Sequence, residues 1–169
     1  MGAAPEVGPH IPVTNKLDLQ AMADLGAQRV WLSPELSLVQ IEELGDMAPM
    51  PLGLTIMGQT ELMVTEHCLL MSQGPCNQKC AECARRKSPH YLKDRKGYEM
   101  PVITDCTGRS HLYNAVQMDV AHLMPEIIGA GVSTVLVDTT LMNVKETTEK
   151  VARAVRARDI AQKDGNKVA

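Results

Sequence analysis

Alternating strand and helix patterns limit the possible folds of this 169-residue chain more than any other feature. Short apolar runs at 11–15, 29–33 and 51–58 predict strands, and apolar residues at helical spacing between them predict helices that stop at Gly26 and Gly45. Strands that recur at about twenty-residue intervals with helices between them are typical of right-handed βαβ units. We therefore expect an α/β fold built on a parallel sheet.

The remainder of the chain predicts further elements. ELMVT should extend the sheet as a fourth strand, YLKDRKGYEMPVIT should form a hairpin, and SHLYN should form a short strand. A helix around 119–129, with Pro125 in its first turn, and a strand in AGVSTVLVD should follow. The expected organisation is a leader (1–10), βα units (11–68), a cysteine-rich loop and small β-hairpin (69–109), final βα units (110–162) and a tail (163–169).

Composition and charge exclude several classes of protein. The chain has a net charge of −3, so any contact with nucleic acid or an anionic membrane must use a local patch. No apolar run reaches the roughly 20 residues of a membrane span, and the first residues do not form a secretory signal, so we expect a cytoplasmic protein. Eleven Met and no Phe indicate that methionine fills core volume.

Four of the five cysteines lie between positions 68 and 83, and this spacing predicts a metal or cluster site. Thiolates are soft ligands, which argues against magnesium or calcium. A structural zinc usually takes two short knuckles, and only one CxxC pair is present, whereas iron–sulfur clusters accept irregular spacings. Inert reduced thiols and one disulfide are the alternatives. The candidate ligands are Cys68, Cys76, Cys80 and Cys83, with Cys106 as a fifth that could replace one of them.

Polar residues follow the predicted strands, where the ligand site of a parallel α/β sheet lies. Asn15, Ser33 and Asp138 are expected to cap the helices that follow them. The carboxylates Glu35, Glu61 and Glu66 could support the thiolate ligands or act as bases. His67, His90 and His111 fit surface or core roles better than roles as ligands.

Two basic clusters, at 85–87 and 93–96, flank the cysteine loop. They fit either solvated loops or an electropositive rim that receives an anionic substrate such as RNA. The only tyrosines are Tyr91, Tyr98 and Tyr113, so partners for base stacking are scarce.

The segments ELMVTEHC, LKDRKGYEMPVITD and GRSHLYNAVQMD, followed by an AGV strand, resemble the collagenase-like peptidases of unknown catalytic type, family thirty-two of the U series. VTNKLDLQAMADLGAQRVWLSPELSL is also similar to strands of that family, so the resemblance covers roughly residues 11–140. It implies a partial TIM-barrel-like domain, because an entire barrel needs about 250 residues. The chain would then be a fragment that is completed by the rest of the barrel or by a second chain, with homo-oligomers forming through the cut edge.

The family carries a peptidase label, yet several members resemble oxygen-independent hydroxylases that hold a 4Fe-4S cluster and act on RNA or ubiquinone precursors. The resemblance implies cluster ligands at Cys68, Cys76 and one or both of Cys80 and Cys83. Such relatives tend to have a further Cys where this chain has Gly108. Residues expected to support the ligands or contact substrate are Glu35, Glu61, Glu66, Arg95 and Arg109.

Two alternatives to the hydroxylase remain open. One is a noncatalytic zinc module, in which the thiols fasten an irregular loop. The other is a protease whose catalytic residues lie outside this chain, because no HExxH motif or Ser, His and Asp constellation is visible here.

Overall fold

The computed structural model describes residues 4–165, with side chains described as far as Lys163. The chain divides into two compact units. The first, here called the βα unit, contains the chain up to Gly58 and again from Met118. The second, the cysteine unit, is the inserted segment Gln59–Gln117.

The described part of the chain contains nine strands and four α-helices. The strands are β1 (Glu6–Val7), β2 (Arg29–Trp31), β3 (Leu52–Gly58), β4 (Glu61–Thr65), β5 (His90–Lys93), β6 (Glu99–Thr104), β7 (Ser110–Tyr113), β8 (Met118–Asp119) and β9 (Val132–Val137). The helices are α1 (Lys16–Asp24), α2 (Leu38–Gly45), α3 (Met124–Gly129) and α4 (Val144–Gly165). Short 3₁₀ helices lie at Leu69–Gln73, Cys80–Glu82, Ala84–Lys87 and Ala121–Leu123.

The βα unit is built on a mostly parallel sheet. β1 pairs with β2, β2 with β3, and β3 with β9, all parallel, while the short β8 pairs antiparallel with the end of β3. Mixed strands and helices around a parallel sheet confirm the predicted α/β class. No closed barrel is formed by the described strands.

Most of the core of the βα unit comes from side chains on the sheet and its helices. β3 is buried along nearly its whole length, as expected for the centre of a covered parallel sheet. Methionine fills core volume as predicted, because Met57 and Met124 are among the largest fully buried side chains. Among the described residues, no helix combines the length and apolar character that a membrane span requires.

The first predicted strand is wrong. Residues 11–15 form no strand, and the sheet begins instead at Glu6–Val7. Pro12 has no N–H to donate to a ladder, and the apolar signal came from Val13, which is buried in the core without pairing.

The helix predicted at 119–129 is also shorter than expected, because β8 and a 3₁₀ turn precede α3. Pro125 does lie in its first turn.

Of the three predicted caps, one is confirmed. The Asn15 side chain accepts hydrogen bonds from the N–H groups of Leu17 and Asp18 at 2.9 and 3.0 Å, at the start of α1. The cap of α2 is Ser37, which forms a capping box with Gln40, and not Ser33.

The third predicted cap, Asp138, lies in a turn. Its carboxylate accepts hydrogen bonds from the backbone and hydroxyl of Thr140, at 2.9 and 2.6 Å. α4 begins after Asn143, which exchanges hydrogen bonds with Glu146. This helix runs to Gly165, beyond the predicted start of the tail at 163. Of the predicted leader and tail, residues 1–3 and 166–169 lie outside the described residues.

The cysteine unit contains a four-stranded antiparallel sheet in the order β4-β7-β6-β5. The predicted hairpin is confirmed as β5–β6, and SHLY forms β7 as expected. The prediction that ELMVT extends the parallel sheet is wrong, because β4 pairs antiparallel with β7. A strand sequence shows alternation and β-propensity, but it does not specify the partner strand.

Asp119 joins β8 to helix α4 in the βα unit. Its carboxylate accepts hydrogen bonds from Lys150 at 2.9 Å and from Arg153 at 2.7 Å. Burial by itself raises the pKa of Asp119, but the hydrogen bond and charge of Lys150 and the charge of Arg153 outweigh burial, and the pKa is lowered.

Because the pKa of Asp119 is lower in the folded state, the free energy of unfolding decreases as the pH falls into the acid range. The contribution of Asp119 to the free energy of unfolding is complete above the ordinary aspartate pKa of 3.8 and is lost as pH falls through the lower folded value.

We predict that Asp119→Asn lowers the free energy of unfolding at pH 7 and removes this part of its acid dependence. Chemical denaturation of both proteins from pH 7 to pH 2 measures it. Asp24→Asn, at the exposed end of α1, is the control, and equal acid dependence in wild type and Asp119→Asn would contradict the prediction.

Candidate metal centre

Four cysteines line one cavity in the cysteine unit. The space between them measures about 260 Å³ when the open solvent at its mouth is included, and the cavity proper is much smaller. Its lining residues are Cys68, Leu70, Cys76, Asn77, Lys79, Cys80, Cys83, Arg86 and Thr104. The structure therefore brings together the four cysteines singled out from the sequence.

Arg85 holds the first part of the cysteine loop. Its guanidinium donates hydrogen bonds to the carbonyls of Leu70, Gly74 and Pro75, at 3.2 to 3.3 Å. Because this segment has only 3₁₀ turns, its carbonyls lack partners from a ladder or an α-helix. The planar guanidinium of Arg85 has five N–H donors and provides hydrogen-bond partners for three of these carbonyls. It thereby fixes the chain between Cys68 and Cys76.

Arg86 performs the same role for the second part of the loop. Its Nε donates to the carbonyl of Thr104 at 2.8 Å, and another nitrogen donates to the carbonyls of Cys80 and Ala81 at 3.1 and 3.4 Å. Arg86 also lines the cavity, so one of the residues around the four cysteines carries a fixed positive charge. These two members of the basic cluster at 85–87 are thus engaged with the loop itself.

His90 also supports the loop. Its Nε2 lies 2.5 Å from the carbonyl oxygen of Arg85, and its Nδ1 lies 3.1 Å from the side-chain nitrogen of Gln73. Both ring nitrogens are therefore occupied by protein groups, which agrees with the predicted structural role for this histidine. His67 is exposed.

The turn between β6 and β7 contacts the cavity through Gly108. This residue has φ of +95°, and a Cβ added to it would lie 2.9 Å from the sulfur of Cys80. Any side chain at this position would be strained and would displace Cys80. The turn therefore brings backbone directly against one of the four thiols.

Asp105 organises this turn. One carboxylate oxygen accepts hydrogen bonds from the hydroxyl and N–H of Thr107, at 2.7 and 2.8 Å, and from the N–H of Arg109 at 3.0 Å. The Thr107 hydroxyl, together with these backbone donors, lowers the pKa of Asp105 to about 2 against a smaller opposing effect of burial. The carboxylate is ionised at neutral pH, so the turn keeps its acceptor.

Ser110 fixes the chain beside Cys68, and sequence reasoning did not find it. Its side chain is fully buried, with its hydroxyl 3.2 Å from that of Thr104 and accepting the N–H of Leu69 at 2.9 Å. Leu69 follows Cys68 directly. The sequence offered only a strand pattern at SHLYN, and such a pattern does not show what a serine will contact.

Glu61, His111 and Asp105 form a second polar group in the same unit. The Nδ1 of His111 lies 2.6 Å from Glu61, and its Nε2 lies 3.8 Å from Asp105. Glu61 is largely buried, and none of the three lines the cysteine cavity.

The other predicted site residues lie apart from the cavity lining. Glu66 forms an exposed ion pair with Arg109 at 2.7 Å. Cys106 is exposed in the β6–β7 turn, and Arg95 is exposed in the β5–β6 turn. Glu35 belongs to the βα unit, where its N–H donates to Ser33 at 3.3 Å.

The donor set of the cavity suits a thiolate-bound metal group. Four sulfur ligands match either an iron–sulfur cluster or a tetrahedral zinc. The N–H of Gln78, a residue with φ of +59°, donates to the sulfur of Cys76 at 3.3 Å, and such bonds stabilise charge on sulfur. In their present orientations, no three Cys, His, Asp or Glu side chains among the described residues converge closely enough to bind a metal ion.

Comparison with known proteins now identifies the family. The sequence profile described as Peptidase family U32 matches residues 6–167. This chain belongs to peptidase family U32. The resemblance seen in the sequence motifs is thereby confirmed, and the family match covers both the βα unit and the cysteine unit.

Two curated relatives of this U32 chain are tRNA hydroxylation protein P of Helicobacter pylori, from strain J99 / ATCC 700824 and from strain ATCC 700392 / 26695. The chain is 27% identical to the first over 141 residues and 27% identical to the second over 139 residues. These matches cover 75% and 74% of this chain and 33% of each relative, so the chain spans about a third of their length. No solved structure matches significantly.

Ser110→Ala tests whether this hydroxyl positions Cys68. The substitution removes a buried acceptor and leaves the N–H of Leu69 without its partner, so we predict a loss of about 1–3 kcal/mol in the free energy of unfolding. We also predict faster alkylation of Cys68 by iodoacetamide, measured by peptide mass spectrometry. Ser88→Ala, an exposed position in the same unit, is the matched control. Unchanged stability and unchanged Cys68 reactivity in Ser110→Ala would refute this role.

Proposed function

We propose that this chain contains the cluster-binding segment of an oxygen-independent RNA hydroxylase. A 4Fe-4S cluster would be held by Cys68, Cys76, Cys80 and Cys83. The observation that carries the proposal is that these four cysteines line one cavity, in a family whose matched relatives are named for tRNA hydroxylation.

The residues around the cavity are suited to hold an anionic cluster. Arg86 lines the cavity, and its hydrogen bonds to backbone carbonyls keep its guanidinium in position. The N–H of Gln78 stabilises charge on the Cys76 sulfur. Gly108 leaves room for the Cys80 sulfur, and Ser110 fixes the chain next to Cys68. When bound, the cluster would supply electron transfer, and the protein would set access to it.

The substrate part of the proposal comes from the relatives' name. RNA, and tRNA in particular, is therefore the first substrate to test, with quinone precursors as the small-molecule alternative from the family resemblance. Peptide hydrolysis stays as an alternative from the family label, with catalytic residues outside this chain.

The βα unit would be the later part of a TIM-barrel-like domain. Among the described strands, β1 pairs only with β2, and β9 pairs only with β3, so each leaves one edge open. Open parallel edges expose backbone donors and acceptors that another strand can pair with. The rest of the barrel or a second chain would supply those strands.

Replacing single cysteines in the whole protein, purified without oxygen, tests the cluster. We predict a brown protein that contains iron and sulfide, and loss of most of the bound iron in each of the four variants Cys68→Ala, Cys76→Ala, Cys80→Ala and Cys83→Ala. Cys106→Ala is the matched control, because its thiol is exposed outside the cavity. Iron and sulfide assays with visible absorption spectra provide the measurement.

Three outcomes would contradict this assignment. A colourless protein that binds zinc at the same thiols would show that the site is a structural zinc module. Loss of iron in Cys106→Ala with full iron in Cys83→Ala would show that Cys106, in the β6–β7 turn, is a ligand in place of Cys83. Absence of both metals would show that the thiols are inert.

A further inference from the structure

The β5–β6 hairpin of the cysteine unit presents free positive charge to solvent. Arg95 and Lys96 are exposed in its turn, and neither side chain has an ion-pair partner among the described contacts. Lys93 is 64% exposed and is only loosely paired with Glu99, at 3.4 Å. This differs from Arg85 and Arg86, whose guanidinium groups are occupied by backbone carbonyls.

The same hairpin exposes two of the three tyrosines of the chain. Tyr91 is 58% and Tyr98 is 54% exposed, whereas Tyr113 is buried. Aromatic residues make up only 2% of the sequence, so two exposed rings on one hairpin are a marked concentration. By strand alternation Tyr91 shares a face with Lys93, while Tyr98 pairs with Asp94 and lies on the other face.

The turn that carries these cations is held in place. The carboxylate of Asp94 accepts hydrogen bonds from the N–H groups of Lys96 and Tyr98, at 2.8 and 2.9 Å. Gly97 adopts φ of +88°, a conformation that glycine accepts without strain. A ligand that binds the turn would therefore not have to order its backbone, and this lowers the entropy cost of binding.

Charge is distributed unevenly between the two units. The cysteine unit contains eight Lys and Arg against six Asp and Glu, a net charge of +2, although the whole chain has a net charge of −3. The rest of the sequence therefore carries −5. An anionic ligand is attracted to the cysteine unit and repelled by the remainder of the chain.

We infer that the β5–β6 hairpin binds a single-stranded loop of the RNA substrate. The cations of the turn would contact phosphates, and one of the two tyrosines, Tyr91 on the face of Lys93 or Tyr98 on the opposite face, would stack on an unpaired base, which a duplex does not offer. This inference rests on the proposed function, since it gives the substrate a docking surface. The hairpin favours RNA over a protein partner, because exposed tyrosines and unpaired cations occur together on a sheet with few exposed acids.

The hairpin also provides a path from this surface to the thiols. β6 runs from Glu99 at the turn to Thr104, which lines the cysteine cavity. Five residues of strand span roughly 17 Å. That distance corresponds to about five stacked nucleotides of one strand. An RNA loop held at the turn could therefore reach the cavity with a nucleotide a few positions away.

RNA binding by the whole protein tests the inference. Fluorescence anisotropy with a labelled, unmodified tRNA transcript would measure affinity across a range of salt concentrations. We predict that Arg95→Ala/Lys96→Ala weakens binding roughly tenfold and lowers the salt dependence by about one to two phosphate contacts. Of Tyr91→Ala and Tyr98→Ala, the variant on the face that the RNA follows should weaken binding about 5- to 100-fold, and the other should bind like wild type.

The matched control is Lys145→Ala/Arg156→Ala, which removes the same charge from exposed positions of helix α4. It should bind RNA like wild type. Equal weakening by the control, or unchanged affinity in all hairpin variants, would overturn the inference. The same would follow if a wholly double-stranded RNA competed as well as the tRNA transcript.

Iron content measured in the same proteins separates this inference from the proposed function. Hairpin variants that lose RNA affinity but keep the wild-type iron content support both. Loss of RNA affinity in a protein that binds no iron would support the hairpin and refute the cluster. Full iron content with unchanged RNA affinity in the hairpin variants would support the cluster and refute the docking surface.

Discussion

Hydrogen bonds from two arginines to backbone carbonyls are the interaction on which the cysteine unit depends. The segment that carries the cysteines has no strand or α-helix, and its carbonyls need other donors. Arg85 and Arg86 supply six hydrogen bonds to these carbonyls and to that of Thr104. Planar guanidinium groups can do this because each offers several donors in a fixed geometry. Without them, nothing regular in the backbone would keep the four thiols around one cavity.

The antiparallel sheet completes the support for this loop. Thr104 and Ser110 lie at facing ends of β6 and β7, and both are buried where the sheet meets the loop. The Asp105 turn between these strands brings Gly108 against Cys80. The loop is thus held by the guanidinium groups of two arginines and is also contacted by the Asp105 turn. Together they give an irregular segment a defined place for its sulfur atoms.

Sequence patterns predicted the elements better than their partners. Period and turn residues were sufficient for the βα alternation and for the β5–β6 hairpin. They could not assign β4 to its sheet, because pairing is a long-range choice that alternation does not encode. The cysteine spacing indicated which thiols lie together, since they are close in sequence. The contacts of Arg86 with Thr104 and of Ser110 with Leu69 were not predictable, because each joins residues far apart in the chain.

The central claim is that the sulfur atoms of this loop share one inorganic centre. X-ray absorption at the iron edge, on whole protein prepared without oxygen, tests it most directly. The account predicts iron surrounded by sulfur, with other iron atoms as the next neighbours. Iron coordinated by oxygen or nitrogen, or a protein that retains no iron, would contradict it.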